Sequence, residues 1–229
     1  MNKILITGDT HGQHDIAKLS SKRFQEGKKL TKDDFVIIAG DFGFIWKNIP
    51  DATEAYYLKW FQDKPWTTLF VDGNHENHPR LNQLPIIEKF SGKVGMVNDS
   101  VYHLKRGEVY TINGKKIFTF GGAMSWDKEH RTTGISWWPE EQPSWAEFEY
   151  GFQNLENHNN EVDYIVSHTV PGAIMNMIGG VKGEDSTTRY LDHIAGKVKW
   201  KKFFCGHMHE DRKIGNFRLL YQDIVDVED

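Results

Sequence analysis

A chain of 229 residues with a formal net charge of −4, 38% hydrophobic and 26% charged, has the make-up of one large α/β domain spanning 1–229. The mildly acidic balance gives no footing for broad electrostatic binding of nucleic acid or anionic lipid. The single cysteine, Cys205, excludes an intramolecular disulfide and a thiolate zinc site, and no apolar run approaches a membrane span. With a strand pattern starting at once and no leader-like segment, a cytoplasmic location is expected.

Residues 3–7 read as a buried strand stopped by Gly8, and residues 13–25 as a helix. A second apolar strand, 35–39, runs directly into Gly40-Asp41. Asp51 caps a helix reaching residue 61, and a third strand, 67–71, leads into Gly73-Asn74-His75-Glu76. The first half is thus a βαβαβ series with a polar cluster beyond each strand, where ligands gather in open α/β sheets. Short strands follow at 101–104, 108–112 and 116–120, the last two joined by Asn113-Gly114, a type I′ hairpin signal. The polar, tryptophan-rich stretch 123–143 has little periodicity and is long enough for a function to be expected of it. Ser144 caps a helix to residue 157, with Glu147 in the capping-box position. A strand at 162–167 delivers His168, and 172–183 reads as a loop with room for a short helix. A helix at 186–198 precedes a strand at 202–205 that delivers Gly206-His207-Met208-His209, and 216–221 closes the fold as a strand.

Five clusters of metal-type ligands therefore stand at strand ends: Asp9-Thr10-His11, Gly40-Asp41, Gly73-Asn74-His75-Glu76, Ser167-His168 and Gly206-His207-Met208-His209. Four histidines, two aspartates and one asparagine make a mixed N/O set without thiolate, suited to two divalent cations held close together. Asp9 and His11, at i and i+2, can address one ion, and His207 and His209 repeat that geometry. Asp41, alone on its loop, suits a carboxylate shared between two metals. Asn74 offers an amide oxygen and His168 an imidazole. Two divalent cations, two carboxylates and a hydroxide leave a net positive charge that attracts phosphate. His75 points away from its neighbour Asn74 on a tight turn and is the natural proton donor to a leaving alkoxide. Glu76 and Asp72 are the candidates to orient it.

In this order, D-x-H, G-D, G-N-H-[DE], a strand-end His and G-H-x-H resemble the calcineurin-like metallophosphoesterases, from Asp9 to His209. The resemblance implies a four-layer α/β/β/α sandwich of two mixed sheets with a dinuclear metal site at the sheet edge. It assigns Asp9, His11, Asp41 and His209 to one metal and Asp41, Asn74, His168 and His207 to the other. Manganese is the first choice, with iron, zinc or nickel as alternatives. His75 becomes the catalytic histidine, and a metal-bridging hydroxide the attacking group on a phosphate mono- or diester. Branches acting on phosphoproteins follow the Gly-Asp pair with Asp-Arg-Gly, whereas Asp41 is followed by Phe42-Gly43-Phe44-Ile45-Trp46. A small phosphoester or nucleotide substrate is therefore expected. A metal-dependent nuclease is the runner-up, disfavoured by the net charge. A non-catalytic protein-binding scaffold on the same fold is the third reading.

Arg131, set among tryptophans, and His78, close to the site in sequence, are candidate substrate contacts. Arg80, Arg106, Lys128 and Arg189 are weaker candidates to hold phosphate. Trp126, Trp137, Trp138 and Trp145 are each expected in the core before a stacking role. His103, like His14, His130, His158 and His193, is expected at the surface or half-buried. Gly179-Gly180-Val181-Lys182-Gly183 lacks the spacing and Ser/Thr of a P-loop and reads as a mobile loop.

Overall fold

The computed structural model describes residues 2–179 and 185–229. Strands β1 (Ile4–Thr7), β2 (Phe35–Ile38) and β3 (Thr67–Phe70) are unbroken buried runs, because both faces of their sheet are covered. Helix α1 (Ala52–Gln62) lies between β2 and β3, its cap Asp51 accepting from Glu54 N. The single-turn α2 (His78–Leu81) precedes β4 (Ile86–Lys89), β5 (Gly92–Asn98) and β6 (Val101–Leu104). β7 (Val109–Ile112) and β8 (Lys115–Phe120) form the hairpin through Asn113 and Gly114, whose φ values of 50° and 76° are those of a type I′ turn. The capping box of Ser144 and Glu147 starts α3 (Trp145–Asn157). Then come β9 (Tyr164–Ser167), α4 (Gly172–Met177), α5 (Ser186–Lys197), β10 (Lys202–Cys205), β11 (Arg212–Ile214), β12 (Phe217–Leu219) and β13 (Ile224–Asp226).

Seven strands pair in the order β13-β1-β2-β3-β6-β5-β4 and six in the order β11-β12-β10-β9-β8-β7. Each sheet has a parallel centre, β1-β2-β3-β6 and β8-β9-β10-β12, with antiparallel strands at its margins. Alternate residues face opposite ways. Ile6, Ile37 and Leu69 meet Tyr110, Val166 and Phe204 between the sheets. Val36, Ile38 and Phe70 pack outward under Phe61 of α1, and Phe118, Phe120 and Phe203 pack under α3 and α5. Each large apolar side chain so buried stabilises the fold by about 1.5–3 kcal/mol. The result is the expected α/β/β/α layering of two mixed sheets.

One local expectation is corrected, and strands β4, β5 and β13 were not foreseen. Residues 13–25 form no α-helix; a 3₁₀ turn occupies Ile16–Leu19 instead. Here Asp15 turns back to the His11 ring, while the buried Lys18 ammonium donates to the carbonyls of Gly8, Asp9 and Tyr221. Strands β4 and β5 lacked a readable apolar pattern, since β4 alternates at a sheet edge and β5 carries two glycines. Strand β13, also unforeseen, pairs antiparallel with β1. Most of the glycine segment from Gly179 to Gly183 lies outside the described residues. No described helix is long and apolar enough to cross a membrane.

Candidate metal centre

Five parallel strands of the two sheets end in polar loops, and these ends meet. β1, β2 and β3 deliver Asp9, Asp41 and Asn74 from one sheet; β9 and β10 deliver His168 and His207 from the other. The loops turn sharply. His11, Asp41, His207 and His209 have φ of 43°, 47°, 63° and 50°, the left-handed region that costs a non-glycine residue roughly 1–2 kcal/mol. Strain of this kind concentrates at functional sites. Glycine is required where the loops touch: a Cβ on Gly73 would lie 2.1 Å from Asp41 Oδ1, and one on Gly206 2.2 Å from Asp9 Oδ1.

The side chains converge on two buried carboxylates. Asp9 is 0% exposed and accepts from His207 N, at 3.0 Å to Oδ1. Asp41 is 1% exposed, and its Oδ1 accepts from His75 N at 2.7 Å. Around Asp9, the His209 and His11 Nε2 atoms lie 3.2 and 3.8 Å from Oδ2. His11 Nε2 is also 3.2 Å from Asp41 Oδ2, and His168 Nε2 is 3.4 Å from Asp41 Oδ1. Asn74 Oδ1 lies 3.1 Å from His168 Nε2. Ligating atoms of Asp9, His11 and His209 lie within 4.8 Å of one another, and so do those of Asp41, His168 and His207. All seven residues expected from the sequence are thus gathered, with Asp41 touching both groups. His11, Asp41 and His75 form a further group of the same compactness.

The donor chemistry fits divalent cations. Burial alone would lower both imidazoles, yet Asp41 beside them raises His11 to about 9 and His168 to about 10. The buried carboxylates demand positive charge, and a divalent cation would supply it. The outer partners aim the ligands, as they do in metal sites generally. His168 Nδ1 donates to Ala39 O at 2.8 Å, and His11 Nδ1 pairs with Asp15 Oδ2 at 2.7 Å, so each ring offers Nε2 to the centre. Tyr221 donates to Asp15 Oδ1 and stacks on His209 at 4.9 Å. Asn74 Nδ2 donates to Ser125 Oγ at 3.2 Å, and Ser125 donates through N and Oγ to the buried carboxylate of Glu141. That chain turns the amide oxygen of Asn74 inward.

His75 stands at the open edge, its ring nearly parallel to Trp46 at 5.8 Å, while Arg131 Nη2 donates to His75 Nε2 at 3.1 Å. Burial lowers its pKa, and the Arg131 guanidinium adds to that. Neither expected orienting carboxylate serves it. Glu76 is buried and accepts from Phe42 N and Gly43 N, and Asp72 is taken by Arg106 and His103. Arg131 therefore sits where a substrate contact was expected. His78 does not: it is 4% exposed, 3.9 Å from Asp72, and lines a separate cavity of about 290 Å³ behind the centre. Arg80 forks onto Glu54 and Arg106 onto Asp72, so neither faces phosphate. His103 is buried, at 3% exposed, where a surface or half-buried placement was expected. Trp138 is core and packs edge-on to Trp46, whereas Trp126 lies 4.8 Å from the His207 ring.

Trp46, Ser125, Glu141, Lys18 and Tyr221 were not singled out by sequence reasoning. Only Asp15 had a usable signal, a carboxylate four residues from a ligand histidine.

A family model described as calcineurin-like phosphoesterase matches residues 2–211, and the chain belongs to that family. No curated protein matches the chain. Membership together with the His/Asp clusters makes this a metal-dependent hydrolase of the phosphoesterase class.

Proposed function

We propose, taking that membership as the premise, that the protein hydrolyses a small phosphate mono- or diester at a centre of two divalent cations. The observation that carries this is Asp41, whose two oxygens face His11 on one side and His168 on the other. Asp9, His11, Asp41 and His209 would hold one ion, and Asp41, Asn74, His168 and His207 the other. Manganese is the first choice for this mixed N/O set, with iron, zinc or nickel as alternatives. When bound, such ions supply Lewis acidity toward the phosphoryl group and a nucleophile near neutral pH.

The chain's own groups do the rest. Hydrolysis joins a water oxygen to phosphorus and breaks the ester P–O bond, and the departing alkoxide takes a proton. His75 delivers that proton. Its ring is held against Trp46 and lines the same cleft as His11 and His209. Arg131 supplies the guanidinium that the Phe42–Trp46 segment lacks. Turned onto a phosphate oxygen, it forks there and leaves His75 Nε2 free to carry the proton. Asp127 Oδ1, 2.8 Å from Arg131 Nε, keeps the guanidinium on that side.

His75→Ala should lower turnover on a phosphoester panel by about 10²–10⁴, with metal content by elemental analysis unchanged. Loss of metal in that variant would make His75 a ligand instead of an acid. Metal-loaded native protein inert toward the whole panel would overturn the reading.

A further inference from the structure

From the open edge of the centre a cleft of about 620 Å³ runs outward, with His11, His75 and His209 at its inner end. Its volume falls in the range of small-molecule sites, roughly 300–1,000 Å³, and exceeds what a phosphate needs. Phe44, Trp46, Tyr57 and Tyr221 line it. These rings are fixed. Trp46 is braced edge-on by Trp138 at 5.0 Å, and Tyr57 leans on Phe44 at 5.0 Å.

Charge narrows the occupant further. The lining carries the carboxylates of Asp15, Asp51 and Glu54 and one ammonium, Lys47, which is paired with Asp51. Glu54 is neutralised by Arg80. A second phosphate, or a strand of nucleic acid, would meet carboxylates and no uncommitted cation among these lining residues. An uncharged planar group meets aromatic walls. Because the proton donor His75 lines the inner end, the group on the leaving oxygen is the one that extends outward.

We propose that this cleft selects the leaving group, and that the substrate is a phosphate ester of an uncharged alcohol carrying a planar ring, of the nucleoside or benzyl kind. This rests on the phosphoesterase reading above. Ester and water give the ring-bearing alcohol and phosphate, the alcohol's proton coming from His75.

Two substrate pairs test it, each leaving through a primary alcohol and differing in the ring: adenosine 5′-monophosphate against ribose 5-phosphate, and benzyl phosphate against butyl phosphate. At least one ring-bearing member should be favoured about tenfold or more in kcat/KM, chiefly through KM, and the pair that responds tells nucleoside from simple aryl. Tyr57→Leu keeps apolar bulk, and Tyr57→Ala removes it; both should reduce that preference about tenfold. Tryptophan fluorescence should be quenched by adenosine or benzyl alcohol and not by ribose, a readout free of any chemistry. Equal kcat/KM within both pairs, a preference untouched in both variants, or no quenching by either ring overturns the proposal. So does adenosine triphosphate outrunning the monophosphate. Native protein that is quenched by the ring compounds yet hydrolyses none of the four esters would instead sink the phosphoesterase reading alone.

Discussion

Strand β3 ends between two buried ionic clusters that differ in one respect. On one side Asp72, 2% exposed, receives Arg106 through Nε at 2.9 Å and Nη2 at 2.6 Å, and His103 Nε2 at 3.1 Å. Burial alone would raise its pKa, but Arg106 holds the carboxyl well below the usual range. On the other side Asp9 and Asp41, equally buried, are surrounded by imidazoles. A guanidinium keeps its proton at every accessible pH, while an imidazole, even one raised as His11 and His168 are, can exchange its proton for a metal ion. The first cluster is therefore complete from its own residues, and the second calls for cations. Buried aspartates do not by themselves mark a site. The charge of what faces them does.

The largest effect should come at the carboxylate shared by both ligand groups. Asp41→Asn keeps a residue that tolerates left-handed backbone and removes one negative charge. Turnover should fall to background and metal content should drop, with no recovery on adding manganese, whereas chelator-treated native protein should recover. Metal retained at full stoichiometry would break the contrast between the clusters. Next, Arg106→Met leaves Asp72 buried and unmatched, at a cost of about 3–5 kcal/mol in urea unfolding. Adding Asp72→Asn should return most of it, and neither change should alter metal content. Were metal lost as well, the two clusters would be one network.

A smaller effect tests the link through the tryptophan-rich stretch. Glu141→Gln should weaken metal affinity about 10–100-fold by calorimetry, because Ser125 no longer holds the Asn74 amide in place; unaltered affinity would assign the aiming to Ser125 alone. The smallest concerns a carboxylate satisfied by neutral donors. Asp34 accepts from Lys3 N and Thr31 N, both at 2.7 Å. Burial would raise its pKa, and these hydrogen bonds lower it. A folded pKa below the unfolded one contributes stability above about pH 4 and loses it as pH falls through the folded value. Asp34→Asn should thus cost about 1 kcal/mol near neutrality, shrinking in acid; a cost constant with pH would mean the charge is irrelevant.

Legibility in the sequence followed the range of the interaction. The apolar runs behind β1, β2, β3, β9 and β10 are local, and so are the Gly-Asp and Gly-His steps that follow β1, β2 and β10; hence the seven residues that gather at the centre could be named from the sequence. The turn at Asn113-Gly114 and the Ser144 cap are equally local. What escaped depends on distant partners. Ser125 meets Asn74 across 51 residues, and Glu141 and Trp46 have no neighbour in sequence that hints at their role. His78 misled for the complementary reason. Nearness in sequence put it beside the site, but the single turn of α2 buries it behind β3, where burial presses its pKa down to about 3. The left-handed φ values at the histidines and Asp41 carry only a weak residue-type signal, since Asp and His adopt that region more readily than most side chains but glycine is its usual occupant.

Strand β13 contributes no ligand, yet it covers one side of β1, the strand that ends at Asp9. Were the chain trimmed just before Ile224, the backbone of Leu5, Ile6 and Thr7 would become a bare border, open to another molecule's strand. The expected product is a protein that retains all seven residues of the candidate metal centre and self-associates in solution. Truncation and tagging schemes at the carboxyl end should leave Ile224–Asp226 untouched.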